Sequence, residues 1–268
     1  MNTRQDLLKI VAMVTMLMDH LGVIFFPEVD WLRTIGRLAF PLFAYFIAQG
    51  FRYTRSRPRY FLRLLVFGLI SQVPYVFLNE EVTANLWQVN QVPLLLYAAL
   101  VLVVLEQGKT SPKAWARPLW VIAALGLALL PDILMFYLDE LQLGYGGYGI
   151  LLSLLFWWFD DRWPELAIGF IALSWFYPYR YFAQWANPTS SFIPAWLNLK
   201  ENLAFYRLYE PWWTFSGIWN QNNALWALPI IYLAKQWPSD LRLNKWITYW
   251  FYPGHIAALV IMYHLFVK

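Results

Sequence analysis

Five polar residues lie inside otherwise apolar stretches of this sequence: Asp19, His20, Arg37, Gln72 and His255. Such groups are costly where water does not reach them, so they usually face a partner or a water-filled cavity. Histidine suits proton transfer, because its unperturbed pKa near 6.5 lets it accept a proton from an attacking amine or hydroxyl at neutral pH. We predict a shared cavity lined by Gln72, with His20, Asp19 and His255 as catalytic residues. His20 would be the general base or a transient carrier of the transferred group.

Lys9 extends this candidate site along the first apolar stretch. It precedes His20 by eleven positions, which in an α-helix equals three turns plus about 20° and a rise of about 16 Å. A cation at one end of a helix face and an imidazole deep on the same face suit a long anionic ligand with a reactive far end. Coenzyme A has this form, with phosphates at one end and a thioester at the other.

A cluster of arginines follows the second apolar stretch. Arg52, Arg55, Arg59 and Arg63 could hold the coenzyme phosphates through charge-assisted, partly bidentate hydrogen bonds. Positive charge of this kind also serves membrane topology and lipid-headgroup binding in membrane proteins of every function. The predicted coenzyme-binding residues are Lys9, Arg37, Arg52, Arg55, Arg59 and Arg63.

Each of the buried candidates also has a purely structural interpretation. Arg37 is the natural ion-pair partner of Asp19, since either group left unpaired in hydrocarbon would cost several kcal/mol. That pair could be structural or part of the site. A role as interhelical hydrogen-bonding groups is likewise the alternative for His20 and His255.

The composition shows what kind of element must position these residues. Of the 268 residues, 60% are apolar, against about 45–50% in soluble domains. Only 13% are charged, so a nucleic-acid partner and a solvated scaffold are excluded despite a net charge of +4. The chain has no cysteine and three histidines, so neither a disulfide nor a metal site is expected. We predict an all-α, polytopic membrane protein that forms one domain over residues 1–268.

Nine apolar stretches are predicted to form membrane helices. By the positive-inside rule the arginine-rich connection at 52–63 is cytoplasmic, which places the N-terminus inside and fourteen of the twenty Lys and Arg residues on that side. The first stretch lacks a small-residue cleavage site, so we interpret it as a retained anchor. The long connection 178–221 is predicted to be an interfacial, partly helical insertion on the outer face. The predicted spans are 7–26, 35–53, 60–78, 92–105, 117–136, 147–159, 164–177, 222–234 and 246–266.

Segments 8–10 and 16–22, the latter reading MLMDHLG, are the first of several that resemble the TraX family, membrane proteins named for acetylation of conjugative pilin. Shorter fragments, such as YGGYG at 145–149 and FYPGH at 251–255, also fit. The similarity covers most of residues 8–78 continuously and the rest in patches. Further matching segments are 32–43, 49–55, 60–65, 69–75 and 221–229.

The resemblance implies an inner-membrane acetyltransferase that uses cytoplasmic acetyl-CoA and an amine or hydroxyl acceptor, either a protein N-terminus or a cell-surface glycan. It also implies a distant relation to acyltransferase family 3, whose first helix carries a basic residue, ten residues and then histidine. Lys9 and His20 reproduce that spacing. The long segment 178–221 departs from a compact TraX protein, and acceptor specificity could be altered there.

Two function classes other than an acetyltransferase stay open from the sequence. A transporter or flippase for an anionic solute would use the same cations, with a histidine as proton relay. A membrane scaffold or assembly factor would have no affinity for small molecules. Binding of acetyl-CoA to the purified protein discriminates among the three classes.

Overall fold

The computed structural model describes residues 5–82, 87–138, 140–187, 190–206, 208, 217–237 and 241–267. In these ranges the chain is helical, and its β-type pairing is limited to an isolated bridge between Gln88 and Gln142. Two 3-10 segments, Ala114–Ala116 and Gly217–Trp226, accompany the α-helices. The α-helices are α1 (Asp6–Ile24), α2 (Asp30–Gly36), α3 (Ala39–Tyr53), α4 (Arg57–Val82), α5 (Gln91–Thr110), α6 (Arg117–Tyr137), α7 (Gly146–Phe159), α8 (Trp163–Ala186), α9 (Phe192–Leu197), α10 (Leu199–Tyr206), α11 (Ala227–Gln236) and α12 (Lys245–Phe266).

The all-α membrane fold predicted from the sequence is confirmed. Among the described residues, four helical segments are both long and apolar enough to cross a bilayer: Asp6–Ile24, Arg57–Leu78, Gln91–Thr110 and Ala114–Tyr137. α7 is apolar but shorter. Each of the nine predicted spans overlaps a helix. The number of crossings, their orientation and the inner-membrane location stay predictions.

α3 lies at the centre of the bundle and packs against α1, α5 and α7. Its inward face includes Leu42, Ala44 and Ala48, all fully buried. Small side chains let helices approach closely, and in lipid this packing replaces the hydrophobic driving force that acts in water. The ring of Tyr45 on α3 also meets Phe156 of α7 edge to face. These contacts fix α1 and α7 relative to each other.

α12 packs against α4 and α1 and thereby brings the end of the chain to its beginning. The contact with α4 contains a small buried cluster of Tyr75, Leu78 and Ile256. α12 starts at a capped turn, since the side chain of Asn244 accepts a hydrogen bond from the backbone N–H of Trp246. Ile256 faces α4. The preceding residue, His255, faces α1.

Helix α8 is longer than the span predicted for it. The sequence places the end of the seventh span at 177, but α8 continues to Ala186. Arg180, assigned from the sequence to the outer interfacial segment, is instead buried beside Asp132 of α6. A guanidinium that is paired and hydrogen-bonded is tolerated inside a bundle, so the helix does not have to end before it.

The rest of the predicted insertion is described in part. α9 and α10 expose the apolar side chains of Ile193, Leu197 and Leu203, as is typical of helices that lie in a membrane interface. The buried Asn202 ties α10 to α8 by donating a hydrogen bond to the hydroxyl of Tyr179 at 3.0 Å. Residues 188–189, 207 and 209–216 of this segment lie outside the described residues.

Candidate active site

A cavity of about 640 Å³ lies among α1, α2, α3, α4, α5, α8 and α12. Small-molecule sites commonly measure about 300–1,000 Å³, so the cavity is large enough for a substrate. Lys9 and His20 both line it, as their helical spacing predicts. Since they are about 16 Å apart along α1, the cavity is elongated, with a lysine near one end and an imidazole farther in.

His20 is hydrogen-bonded to His255 across the contact between α1 and α12. Nδ1 of His20 lies 2.7 Å from Nε2 of His255, and the two ring planes are within 9° of parallel. On its other side, His255 places Nδ1 2.7 Å from the carbonyl oxygen of Phe251. His255 is buried, whereas His20 is half-buried and faces the cavity. The two histidines that the sequence assigned to one cavity therefore form a direct pair, but of the two it is His20 that lines the cavity, and His255 lies behind it.

The carbonyl of Phe251 determines where the protons of this pair lie. A carbonyl oxygen only accepts, so Nδ1 of His255 carries a hydrogen, and Nε2 of the neutral ring carries the lone pair. Nδ1 of His20 then donates to that lone pair, which leaves the lone pair of neutral His20 on Nε2. No described residue hydrogen-bonds to Nε2 of His20. His20 is thus a base of fixed tautomer with its free nitrogen available to a ligand.

Asp19 holds two guanidinium groups on the cavity wall. Its Oδ1 accepts from Nη2 of Arg37 at 2.7 Å, and its Oδ2 accepts from Nη1 of Arg33 at 2.9 Å. The predicted pairing of Asp19 with Arg37 is therefore present. Sequence analysis missed Arg33, although an offset of four positions puts Arg33 and Arg37 on one helix face. One carboxylate facing two guanidiniums leaves an excess positive charge beside His20.

The other end of the cavity is lined by Lys9 and Lys245. Lys9 pairs with Asp6 at 2.7 Å, and Asp6 also accepts from the backbone N–H of Leu243. Lys245 forms no ion pair with any described residue, and its Nζ lies 5.4 Å from the ring centre of Trp246. Lys245 was not in the predicted coenzyme-binding set. In the described part of the chain, no group of three or more His, Asp or Glu residues is arranged to hold a metal ion.

The arginine cluster at 52–63 does not line this cavity. Arg52 donates a 2.5 Å hydrogen bond to Asp160 at the end of α7, so its charge is already compensated. Arg55 and Arg59 are exposed and form no ion pair with the described residues. Of the predicted phosphate-binding arginines, these two have the accessibility that a surface phosphate contact requires.

Arg63 and Gln72, both on α4, form hydrogen bonds with neighbouring protein groups. Arg63 donates to the hydroxyl of Tyr249 at 3.2 Å, and Tyr249 lines the cavity. Gln72 was predicted to line the cavity but does not. Its side chain instead donates to the carbonyl of Gln88 and accepts from Asn90, so it fixes the start of α5.

A buried ion pair that sequence analysis missed supports the cavity wall. Arg180 and Asp132 approach to 3.3 Å, and each side chain is only 4% exposed. Arg180 also donates to the carbonyl of Gly144 and the hydroxyl of Tyr181, both at 2.8 Å. Gly144 and Tyr181 line the cavity. The available signal was Asp132 itself, an ionisable residue inside the fifth predicted span.

The YGGYG segment allows this arrangement. Gly146 has a backbone φ of +51°, where a side chain is strained. A Cβ on Gly146 would lie 2.3 Å from Nη1 of Arg180, and one on Gly147 would lie 2.3 Å from Oδ2 of Asp132. Glycine is therefore required for the buried pair to approach the start of α7.

Comparison with known proteins gives the chain a family. The sequence model of the TraX protein family matches residues 4–263. The probable fimbrial assembly protein FimC, serogroup H1, of Dichelobacter nodosus is 28% identical over an alignment of 199 positions that covers 57% of this chain and 82% of the relative. Protein TraX of Escherichia coli is 37% identical over 73 residues, 27% of this chain and 29% of that protein. No solved structure matches. Because the family match covers nearly the whole chain, the protein belongs to the TraX family.

Proposed function

We propose that this protein is a membrane-embedded acetyltransferase that moves an acetyl group from cytoplasmic acetyl-CoA to an amine or hydroxyl acceptor. The observation that carries the proposal is the hydrogen-bonded pair of His20 and His255, with the free nitrogen of His20 available at the cavity. A base whose second nitrogen is oriented by a third group is the arrangement that activates nucleophiles in acyl transfer. The resemblance to a family named for pilin acetylation supports the same reaction.

In the proposed reaction, the acceptor nitrogen or oxygen attacks the thioester carbonyl carbon while Nε2 of His20 takes its proton. The carbon–sulfur bond breaks as the new carbon–nitrogen or carbon–oxygen bond is completed. His20 then returns the proton to the leaving thiolate, so the products are the acetylated acceptor and free coenzyme A. While protonated, His20 still donates through Nδ1 to His255, and the carbonyl of Phe251 orients that ring.

The charge of the cavity wall supports an anionic donor. Among the described lining residues, Lys9, Arg33, Arg37 and Lys245 are cationic, and Asp19 is the carboxylate among them. We propose that Lys9 and Lys245 contact the coenzyme phosphates. The acetyl end would then extend along α1 toward His20. Arg55 and Arg59 would add surface contacts.

The acceptor is proposed to be a subunit of a surface fibre, acetylated on its N-terminus or on an attached glycan. Support comes from the Dichelobacter nodosus relative, which is described as a probable fimbrial assembly protein. The family resemblance to proteins named for pilin acetylation agrees with this acceptor class.

Purified protein in lipid nanodiscs tests the proposal. Calorimetric titration with acetyl-CoA, free coenzyme A and citrate should show saturable binding of the two coenzyme species and weak response to citrate. Incubation with [acetyl-¹⁴C]acetyl-CoA and amine-bearing peptides or sugars should label the acceptor. Uptake of intact acetyl-CoA into proteoliposomes without thioester cleavage would instead indicate a transporter. Absence of coenzyme binding would contradict the acetyltransferase proposal.

A further inference from the structure

We infer that Arg33 binds an anionic group of the acceptor, so that the preferred acceptor carries a carboxylate or phosphate close to the amine or hydroxyl that is acetylated. The inference rests on the proposed acetyl transfer and names the chemistry of its second substrate. It starts from the difference between the two guanidinium groups that share Asp19.

All three guanidinium nitrogens of Arg37 donate hydrogen bonds inside the protein. Its Nε donates to the carbonyl of Arg33, its Nη1 to Gln221 and its Nη2 to Asp19. Its side chain is only 13% exposed. Arg37 is therefore a fixed part of the wall, and each of its three guanidinium nitrogens already donates to a protein group.

Arg33 is different, because only its Nη1 is used, in the bond to Asp19. Its Nε and Nη2 make no hydrogen bond with any described residue, its side chain is 35% exposed, and it lines the cavity. Nε and Nη2 lie on one edge of the guanidinium plane, the edge that binds two oxygens of a carboxylate or phosphate side by side. Arg33 thus presents an unused bidentate anion-binding edge.

The charges around Asp19 also favour an anionic ligand at Arg33. Asp19 neutralises one of the two guanidiniums and has both oxygens occupied, so the second positive charge is uncompensated. A charge that is only partly exposed to solvent, as that of Arg33 is, interacts more strongly with a ligand than the same charge in bulk water. An anionic substrate group would supply the missing partner.

The position of Arg33 assigns the anion to the acceptor and not to the donor. Its partner Asp19 lies ten residues, or about 15 Å, along α1 from Lys9. The donor phosphates are proposed at the Lys9 and Lys245 end. Asp19 is the neighbour of His20 in the chain, so an anion on Arg33 and an attacking atom near Nε2 of His20 fit within one small molecule.

Two matched pairs of probes test this inference: glucosamine 6-phosphate against glucosamine, and Ala-Glu amide against Ala-Gln amide. Each is titrated calorimetrically into the full-length protein in nanodiscs without acetyl-CoA and then assayed as acceptor of labelled acetyl. We expect the anionic member of at least one pair to bind about 10- to 100-fold more tightly, the range of a charge-assisted hydrogen bond. Arg33→Gln should remove that preference.

Arg242→Gln is the matched control, because Arg242 is exposed and does not line the cavity. Arg33→Gln leaves Asp19 paired with Arg37, and Arg33→Lys keeps the charge without the two-donor edge, so it should retain only part of the preference. Equal binding of both members in both pairs, or an unchanged preference in Arg33→Gln, would overturn the inference. Anion preference lost in Arg33→Gln but no acetyl transfer by the wild type would support the Arg33 site and contradict the acetyltransferase proposal.

Discussion

A Cβ atom on Gly36 would lie 2.4 Å from both Cβ and Oδ1 of Asp19. The backbone of α2 therefore touches α1 at the carboxylate that holds Arg33 and Arg37. Side chains essentially never make contacts shorter than 3.0 Å at Cβ, so any larger residue would displace Asp19. The placement of two cations on the cavity wall depends on a residue without a side chain.

Gly36→Ala should consequently destabilise the protein by about 1–3 kcal/mol, the usual cost of overpacking a filled contact. Gly126→Ala is the matched control, because nothing lies within 4 Å of a Cβ at that position in α6. The control should be neutral or stabilising by up to about 1 kcal/mol, since alanine is the better helix former. Unfolding of both variants in one detergent measures the difference, and equal stabilities would contradict the contact.

Asp132→Ala should destabilise the protein by about 3–5 kcal/mol, because it leaves the buried guanidinium of Arg180 without its carboxylate. Glu106→Ala, which removes the partly exposed pair with Arg57, should cost only about 0–1 kcal/mol. The measurement is again detergent unfolding, with both variants compared at one pH. A similar loss of stability in the two variants would show that burial of the Asp132 pair does not determine its contribution to stability.

Two kinds of contact in the site can be predicted from the sequence: residues that share one face of a single helix, and charged residues that need a partner of opposite charge. Lys9 and His20 share a cavity wall because helical geometry fixes their relative direction whatever surrounds them. Asp19 and Arg37 meet because neither charge is tolerated alone in lipid. Both inferences use local geometry or a strong energetic penalty, so they need no knowledge of the tertiary fold.

The parts that sequence does not supply depend on which helices become neighbours. Arg52 looks like a phosphate ligand in the sequence, yet Asp160, 108 positions away, takes its guanidinium. Gln72 turns to the loop before α5 because Gln88 and Asn90 offer backbone and amide partners there. The direct bond between His20 and His255 likewise needs α12 to pack on α1.

Lys245→Gln should weaken acetyl-CoA binding by about tenfold, since one charge-assisted contact contributes about 1.5–3 kcal/mol at most and less near solvent. S-acetylpantetheine, which lacks the nucleotide and its phosphates, serves as control ligand and should bind the variant and the wild type equally. Arg55→Gln combined with Arg59→Gln should have a smaller effect, because these groups are exposed. Calorimetry that shows equal weakening for both ligands would contradict a phosphate contact at Lys245.

His20→Ala should lower acetyl transfer by about 10²–10⁴-fold, the loss typical of a missing general base. Binding of acetyl-CoA should persist, because the proposed phosphate contact at Lys9 lies about 16 Å away along α1. His264→Ala is the control histidine variant, since His264 does not line the cavity. A folded His20→Ala protein with full transfer of labelled acetyl in membranes would show that the catalytic assignment is wrong.

His255→Ala should lower transfer less than His20→Ala, by about 10- to 100-fold, as found for partners that orient metal-bound histidines. His255 contacts His20 but does not line the cavity, so it acts as a positioning residue and its loss should reduce kcat without changing the KM for acetyl-CoA. His255→Gln, whose side-chain oxygen can accept from Nδ1 of His20, should restore part of the rate. Because both histidines form one unit, the double variant should be no slower than His20→Ala alone. Fully additive losses would show that the two residues act independently and that their hydrogen bond plays no part in transfer.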